Sequence, residues 1–263
     1  MRHLGPQPGW TVLVTGASSG LGKFVALELA RRRCGLILCG RDAGRLKSVA
    51  QQSLGLGASL VKSFSFDLAT TEGIAALLSS IEALGVPIDA LVNNAGAGIA
   101  GLWSSSDAAE EKALLRLLVD APLALTRGLL PNWRKRGKGA LLNIGSTGAF
   151  QPGPHTAVYY AAKAFVVSWS LALAREERSW LTVTTFCPGA MKTGFSESAG
   201  KRNLKGAADP EKMARKAVTC WRKGSGLVVP GLLNKLLVFL SRLLPPAWTA
   251  IGVEAVQLSA RKR

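Results

Sequence analysis

The 263-residue chain could form one large or two small domains, and 48% hydrophobic against 19% charged residues excludes a disordered chain. Thirty-three Lys and Arg against sixteen Asp and Glu leave a formal net charge of +17. That charge favours anionic partners, whether a phosphate-rich cofactor, a membrane surface or nucleic acid. The basic residues are spread over 31–33, 134–138, 201–205, 215–223 and 261–263 with no recognition helix or stacking-aromatic array, so nucleic acid is not expected.

Four widely spaced cysteines (Cys34, Cys39, Cys187, Cys220) form no Cys-x-x-Cys pair and read as free thiols of a reduced, cytoplasmic protein. Only His3 and His155 could join them, so no metal site is expected. Residues 1–9 lack the apolar core of a signal peptide, and no run of 18 apolar residues predicts a spanning helix.

Short apolar runs alternate with helical stretches, the pattern of parallel βαβ units. In chain order the sequence predicts a strand over 10–15, a helix over 21–33, a strand over 36–39 and a helix over 43–54. A strand over 59–66, a helix over 71–84 and a strand over 88–93 follow. A long helical region over 107–136 should bend near Pro122, because proline removes a helix donor. Next come a strand over 140–144, a helix over 156–177, a strand over 182–186 and a short strand over 227–229. The expected fold is a single α/β domain spanning 1–263: a doubly wound parallel sheet of about seven strands, with an apolar helical extension over about 231–263. The helix over 157–173 is apolar on nearly every face, so it should be buried on two sides, by the sheet and by a partner subunit or another part of the chain.

Between the first strand and first helix the chain reads Thr15-Gly16-Ala17-Ser18-Ser19-Gly20-Leu21-Gly22. Backbone N–H groups of such a turn, at a helix N-terminus, suit a pyrophosphate, and glycine is needed where backbone approaches phosphate closely. Farther on, Tyr159 and Lys163 stand four apart on one helix face, with Ser146 thirteen residues upstream of the tyrosine. An ammonium about 4 Å from a phenol, at an effective dielectric near 20, contributes on the order of 4 kcal/mol. That is roughly three pKa units, enough to bring a phenol from about 10 to near 7. Tyr160 is expected to project elsewhere.

In these residues the sequence resembles the short-chain dehydrogenase/reductase family, over most of its length. The resemblance implies a nicotinamide cofactor, held by the turn residues Gly16, Ser18, Ser19, Gly20, Leu21 and Gly22. Asp67 and Leu68 would meet the adenine, Asn94, Ala95 and Gly96 (in Asn-Asn-Ala-Gly) would line the cofactor, and Pro188, Gly189 and Thr193 would contact the carboxamide. It further implies Tyr159 as proton donor in reduction, Lys163 as the group that lowers its pKa and holds the nicotinamide ribose, and Ser146 as hydrogen-bond donor to the substrate oxygen. Family members usually form dimers or tetramers, which implies a homodimer or homotetramer. One departure stands out: Leu118 occupies the position where the family usually has an asparagine that helps hold a proton-relay water. This keeps a cofactor-binding regulatory protein with weak turnover as the alternative to an enzyme, and Asp120 as a shifted substitute or a surface residue.

At the tip of the second strand, Gly40 carries no acid and Arg41 can fork onto a 2′-phosphate, so NADP(H) is expected over NAD(H), with Asp42 as the cap of the next helix. Ser146, Phe150, Met191 and Phe195 should border the substrate, and His155 either joins them or is a loop histidine with no chemical role. These groups are mostly apolar, which suits a hydrophobic carbonyl or alcohol (lipid-, steroid- or acyl-like) better than a small acid. The apolar helix over 232–244 has a narrow polar stripe, so it is either a pocket cap or subunit contact, the reading we favour, or a peripheral membrane contact.

Overall fold

In the computed structural model, which describes residues 5–194 and 206–261, side chains of the inner strands alternate between two cores. The strands are β1 (Thr11–Thr15), β2 (Gly35–Gly40), β3 (Val61–Ser65), β4 (Ala90–Asn93), β5 (Gly139–Ile144), β6 (Leu181–Phe186) and β7 (Leu227–Val228). They form one parallel sheet in the order β3-β2-β1-β4-β5-β6-β7. Val12 pairs with Leu36 on one side and Ala90 on the other, so the strand order reverses beside β1. Ligands of open α/β sheets bind at that reversal, beyond the carboxyl ends of the strands.

The helices are α1 (Gly20–Arg31), α2 (Ala43–Gly55), α3 (Thr71–Ala83), α4 (Ala108–Leu115), α5 (Ala121–Arg136), α6 (Ala157–Glu176), α7 (Pro210–Arg222), α8 (Leu232–Leu243) and α9 (Pro246–Arg261). Val12, Val14, Leu36 and Leu38 point to the core that α1, α2 and α7 cover with Val25, Leu46 and Trp221. Leu13, Ile37 and Leu91 point to the opposite core, covered by Leu77 of α3, Trp133 of α5 and Leu173 of α6. Sheet with helices on both faces is thus set by the period-2 alternation of apolar residues in each strand. Polar side chains fix the helix starts. Asp42, Thr70, Asp107 and Asp209 accept the backbone N–H of Arg45, Gly73, Ala109 and Glu211 at 2.7–3.0 Å. Asp42 is therefore the cap of α2 that its position predicts.

The long helical region is interrupted near Pro122, as its position predicts, by a wide π turn over Arg116–Asp120 in which the Ala121 N–H bonds to the Arg116 carbonyl. Pro122 has no N–H to give Leu118's carbonyl at the four-residue step, so the helix widens one turn earlier and the proline sits at the start of α5. Helix α7 was not anticipated. Its buried stripe Ala214, Ala217, Val218 and Trp221 has helical spacing, but two of the four are alanines embedded in a basic run. It packs against α1, with Glu211 3.6 Å from Arg31.

Helix α6 is long and apolar enough to cross a membrane by length and composition. It nonetheless covers β6 and buries Lys163, so here that composition belongs to a helix packed on the sheet.

Candidate active site

The turn between β1 and α1 works because three side chains are missing. Gly16 and Gly20 have φ of +64° and +54°, and a Cβ on Gly22 would lie 2.2 Å from the Gly16 carbonyl oxygen. Gly22 itself does not line the cavity; it lets the first turn of α1 close onto the loop. Asn94 holds this arrangement from β4. Its Nδ2 donates to the carbonyls of Thr15 (2.9 Å) and Gly16 (3.2 Å), while Thr15 Oγ1 accepts the N–H groups of Asn94 and Ala95, each at 3.0 Å. Beneath it, Asn93 Nδ2 donates to Asn143 Oδ1 (2.9 Å) and Asn143 Nδ2 to Ser170 Oγ (2.7 Å), joining β4, β5 and α6 through the core.

A cavity of about 440 Å³ opens over these strand ends. Gly16, Ser18, Ser19, Gly20, Leu21, Arg41, Asp67, Leu68, Asn94, Ala95 and Gly96 line it on the β1–β2–β4 side. Ser146, Tyr159, Lys163, Pro188, Gly189, Met191 and Thr193 line it on the β5–β6 side. The Thr193 methyl group stands 3.5 Å from where a Gly20 Cβ would be, so the Pro188–Thr193 segment closes over the glycine turn. The fit to a dinucleotide is good: a Cβ-free turn at a helix N-terminus in the middle, an exposed arginine at one end and a tyrosine–lysine pair at the other.

The Tyr159 hydroxyl is enclosed and hydrogen-bonded to Ser146, whose Oγ also accepts the Gly148 N–H at 3.0 Å. Lys163 is 7% exposed, and its Nζ donates to the Ile144 carbonyl at 2.7 Å while lying 5.8 Å from the centre of the Tyr159 ring. The electrostatic expectation is overturned here. Burial pushes the Tyr159 phenol up to about 12, and the Ser146 hydrogen bond offsets only part of that. Burial also brings the Lys163 ammonium down to about 8. The ammonium donates to the end of β5, and desolvation of both groups outweighs the Coulomb attraction. The result is a neutral phenol beside a lysine that is still mostly protonated at pH 7, a pair able to deliver a proton to a carbonyl oxygen in the cavity.

Several sequence-derived positions differ. Tyr160 does not project elsewhere: it lines the same cavity, its ring set edge-on to that of Tyr159 with centroids 6.1 Å apart. A Cβ on Gly153 would come 2.2 Å from that ring, and only the backbone of the 151–153 loop leaves it room. Phe150 does not line the cavity; the Arg242 guanidinium stacks 5.0 Å above its ring. His155 faces a smaller pocket beside Ile99 and Trp103 and meets Glu254 at 3.3 Å. Phe195 lies outside the described residues. Asp120 is exposed on α5's approach and away from the cavity, whereas Leu118 is buried against Leu114 and Ala162. Gln151, Val256 and Gln257 also border the cavity, the last two from α9 and nearly one hundred residues beyond Tyr159. No local signal marks them, because only the folding-back of α9 brings them there.

Strand order, glycine turn and tyrosine–lysine pair together define an oxidoreductase that binds a nicotinamide dinucleotide. The chain belongs to the short chain dehydrogenase family, whose sequence model matches residues 10–204. It is therefore an oxidoreductase acting on carbonyl or alcohol groups. It is 30% identical to the ketoacyl reductase HetN of Nostoc sp. over 80% of this chain and 74% of that protein. It is 34% identical to a very-long-chain 3-oxoacyl-CoA reductase of Coccidioides immitis over 67% of this chain, which spans 51% of that relative. Among solved structures, a short-chain dehydrogenase from Sphingobium yanoikuyae in complex with NADPH superposes with a TM-score of 0.80. It is 28% identical, covering 97% of this chain and 96% of that one.

Proposed function

We propose that this protein is an NADP(H)-dependent reductase of hydrophobic ketones or aldehydes of lipid, steroid or acyl type. The observation that carries the reading is the Tyr159 hydroxyl, bonded to Ser146 and set beside Lys163 in the same cavity as the glycine turn. The nicotinamide would supply the hydride. Ser146 and Tyr159 would hold the substrate oxygen, and Tyr159 would pass it the proton as charge develops. Lys163 would hold the nicotinamide ribose and stabilise the phenolate left behind, its ammonium anchored by the Ile144 carbonyl. The turn residues from Gly16 to Leu21 would hold the pyrophosphate, with Asp67 and Leu68 near the adenine and Pro188, Gly189 and Thr193 near the carboxamide.

NADP(H) is favoured over NAD(H) because no carboxylate faces the cavity from the end of β2. Gly40 has no side chain, Asp42 is spent on the Arg45 N–H (2.9 Å), and exposed Arg41 lines the cavity. The apolar substrate class is supported by Leu117, Met191 and Val256 on the cavity wall and by relatives named as ketoacyl and 3-oxoacyl-CoA reductases. The outward face of α6 (Ala161, Ala164, Phe165, Leu171 and Ala172) is exposed and apolar or small, which supports a homodimer or homotetramer. The four free thiols suit a reducing, cytoplasmic setting.

The test is the loss of NADPH absorbance across a panel of long-chain, steroidal and small carbonyls. Turnover of apolar members that falls at least about a hundredfold in Tyr159→Phe supports the reading. A second reading, a cofactor-binding protein without turnover, is favoured by Leu118, buried against Leu114 and Ala162, where the family usually has an asparagine. Tight NADPH binding with no carbonyl reduced would select it.

A further inference from the structure

Helix α8 turns its polar side toward the protein and its apolar side away from it. Asn234 packs on the 188–190 segment so closely that a Cβ on Gly189 would lie 2.9 Å from its amide. Ser241 Oγ donates to the carbonyls of Val238 (2.9 Å) and Phe150 (3.4 Å), and Val238 is the buried residue of this helix. Leu232, Leu233, Leu236, Leu237, Phe239, Leu240 and Leu243 remain exposed, Leu232 to 85%. At helical spacing these positions cover roughly 160° of the circumference. Exposed Lys235 and Arg242 border one edge of that arc.

Helix α9 repeats the inversion. Thr249 and Gln257 are buried, while Trp248 (65% exposed) and Ile251 face outward. This helix is also a wall of the active-site cavity. Gln257 Nε2 donates to the Tyr160 hydroxyl at 2.9 Å, and Val256, exposed, borders both the cavity and the outer face. A continuous apolar surface of this kind marks an interaction site, and here it continues into the mouth of the cavity.

We propose that the α8–α9 pair docks this protein on the surface of an anionic phospholipid bilayer, with the cavity mouth at Val256 turned toward the acyl boundary. Charge complementarity favours this occupant: Lys235 and Arg242 border one edge of the apolar face, and the whole chain carries +17, which a bilayer of negative surface potential attracts. Interfacial helices lie with their apolar face sunk to the headgroup–acyl boundary, and the arc on α8 has that form. Delivery of substrate from the bilayer into the cavity rests on the hydrophobic-carbonyl reading above; the docking itself does not.

The test is flotation of the full chain with vesicles of phosphatidylcholine alone and of phosphatidylcholine with about a third phosphatidylserine. We expect co-flotation with the anionic vesicles, weakened by high salt. At least about a tenfold loss is expected in Leu236→Glu/Phe239→Glu and in Trp248→Glu/Ile251→Glu, as charges cannot enter the acyl boundary. NADPH affinity, thermal midpoint and turnover of a water-soluble carbonyl should be unchanged in both variants. Wild-type protein that stays below the vesicles overturns the proposal. So does a dimer that these substitutions split in sedimentation while vesicle binding is retained. Flotation without turnover of any carbonyl would sink the reductase reading alone, and turnover without flotation would sink the docking alone.

Discussion

As pH is raised on the folded protein, Tyr159 should keep its proton until about pH 12. The chain holds only two tyrosines, Tyr159 and Tyr160, so phenolate absorbance reports on the active-site cavity alone. An ordinary phenol titrates near 10; the shift of Tyr159 corresponds to about 3 kcal/mol in favour of the neutral form. Tyr160 is also pushed up by burial, with its Gln257 hydrogen bond opposing. The expected difference titration against unfolded protein is a folded state with clearly less phenolate at about pH 10, where the unfolded chain is half ionised. Half of the total phenolate signal rising with a midpoint near pH 7 would refute the reasoning, because the lysine would then be dominating desolvation. The linked stabilities have opposite signs. The raised phenol leaves stability untouched below about pH 10 and lowers it as pH rises toward 12. The lowered Lys163 makes the fold bear a buried ammonium below about pH 8, a cost relieved between about 8 and 10.5. Denaturant melts should therefore show wild type gaining about 2 kcal/mol on Lys163→Met between pH 8 and 9.5.

Gly22→Ala places a Cβ 2.2 Å from the Gly16 oxygen and 2.3 Å from Asn94 Nδ2. It should cost about 1–3 kcal/mol of stability and most of the cofactor affinity, read by thermal melting and by NADPH fluorescence titration. Arg41→Ala removes the cation at the β2 tip and should weaken NADPH binding by about ten- to a hundredfold with little change for NADH; equal losses for both would exclude a 2′-phosphate contact. Leu118→Asn, which restores the residue usual in the family, buries an amide among Leu114, Ala162 and the Gly96 loop. A loss of about 1–3 kcal/mol is expected by melting, and a more stable variant would mean that a polar partner is already in place there. For reduction, kcat/KM for NADPH should fall as pH rises past about 8, when Lys163 in the free protein loses its charge.

Local patterns were enough for the strands, most helices and the order of the motifs. Each depends on neighbours a few residues away: alternation in Val12-Leu13-Val14, the cap at Asp42, the missing side chains at Gly16, Gly20 and Gly22. The resemblance carried by the Ser146, Tyr159 and Lys163 spacing named the family for the same reason. Where the reading fell short, the cause was long-range packing: α7 required knowing that Ala214 and Ala217 pack against α1.

What the amino-acid order determined by itself is the sheet, the Cβ-free turn after β1 and the placing of Tyr159 and Lys163 on one helix face, since these rest on backbone geometry and short spacings. Only the tertiary structure decided how acidic that tyrosine is, because desolvation depends on everything packed around it and Lys163 is drawn to the Ile144 carbonyl at 2.7 Å. Only the tertiary structure, too, brought Val256 and Gln257 to the cavity and turned the leucines of α8 outward. A helix carries its apolar stripe in its sequence, but which side of that stripe meets the protein depends on how it docks against the rest of the chain.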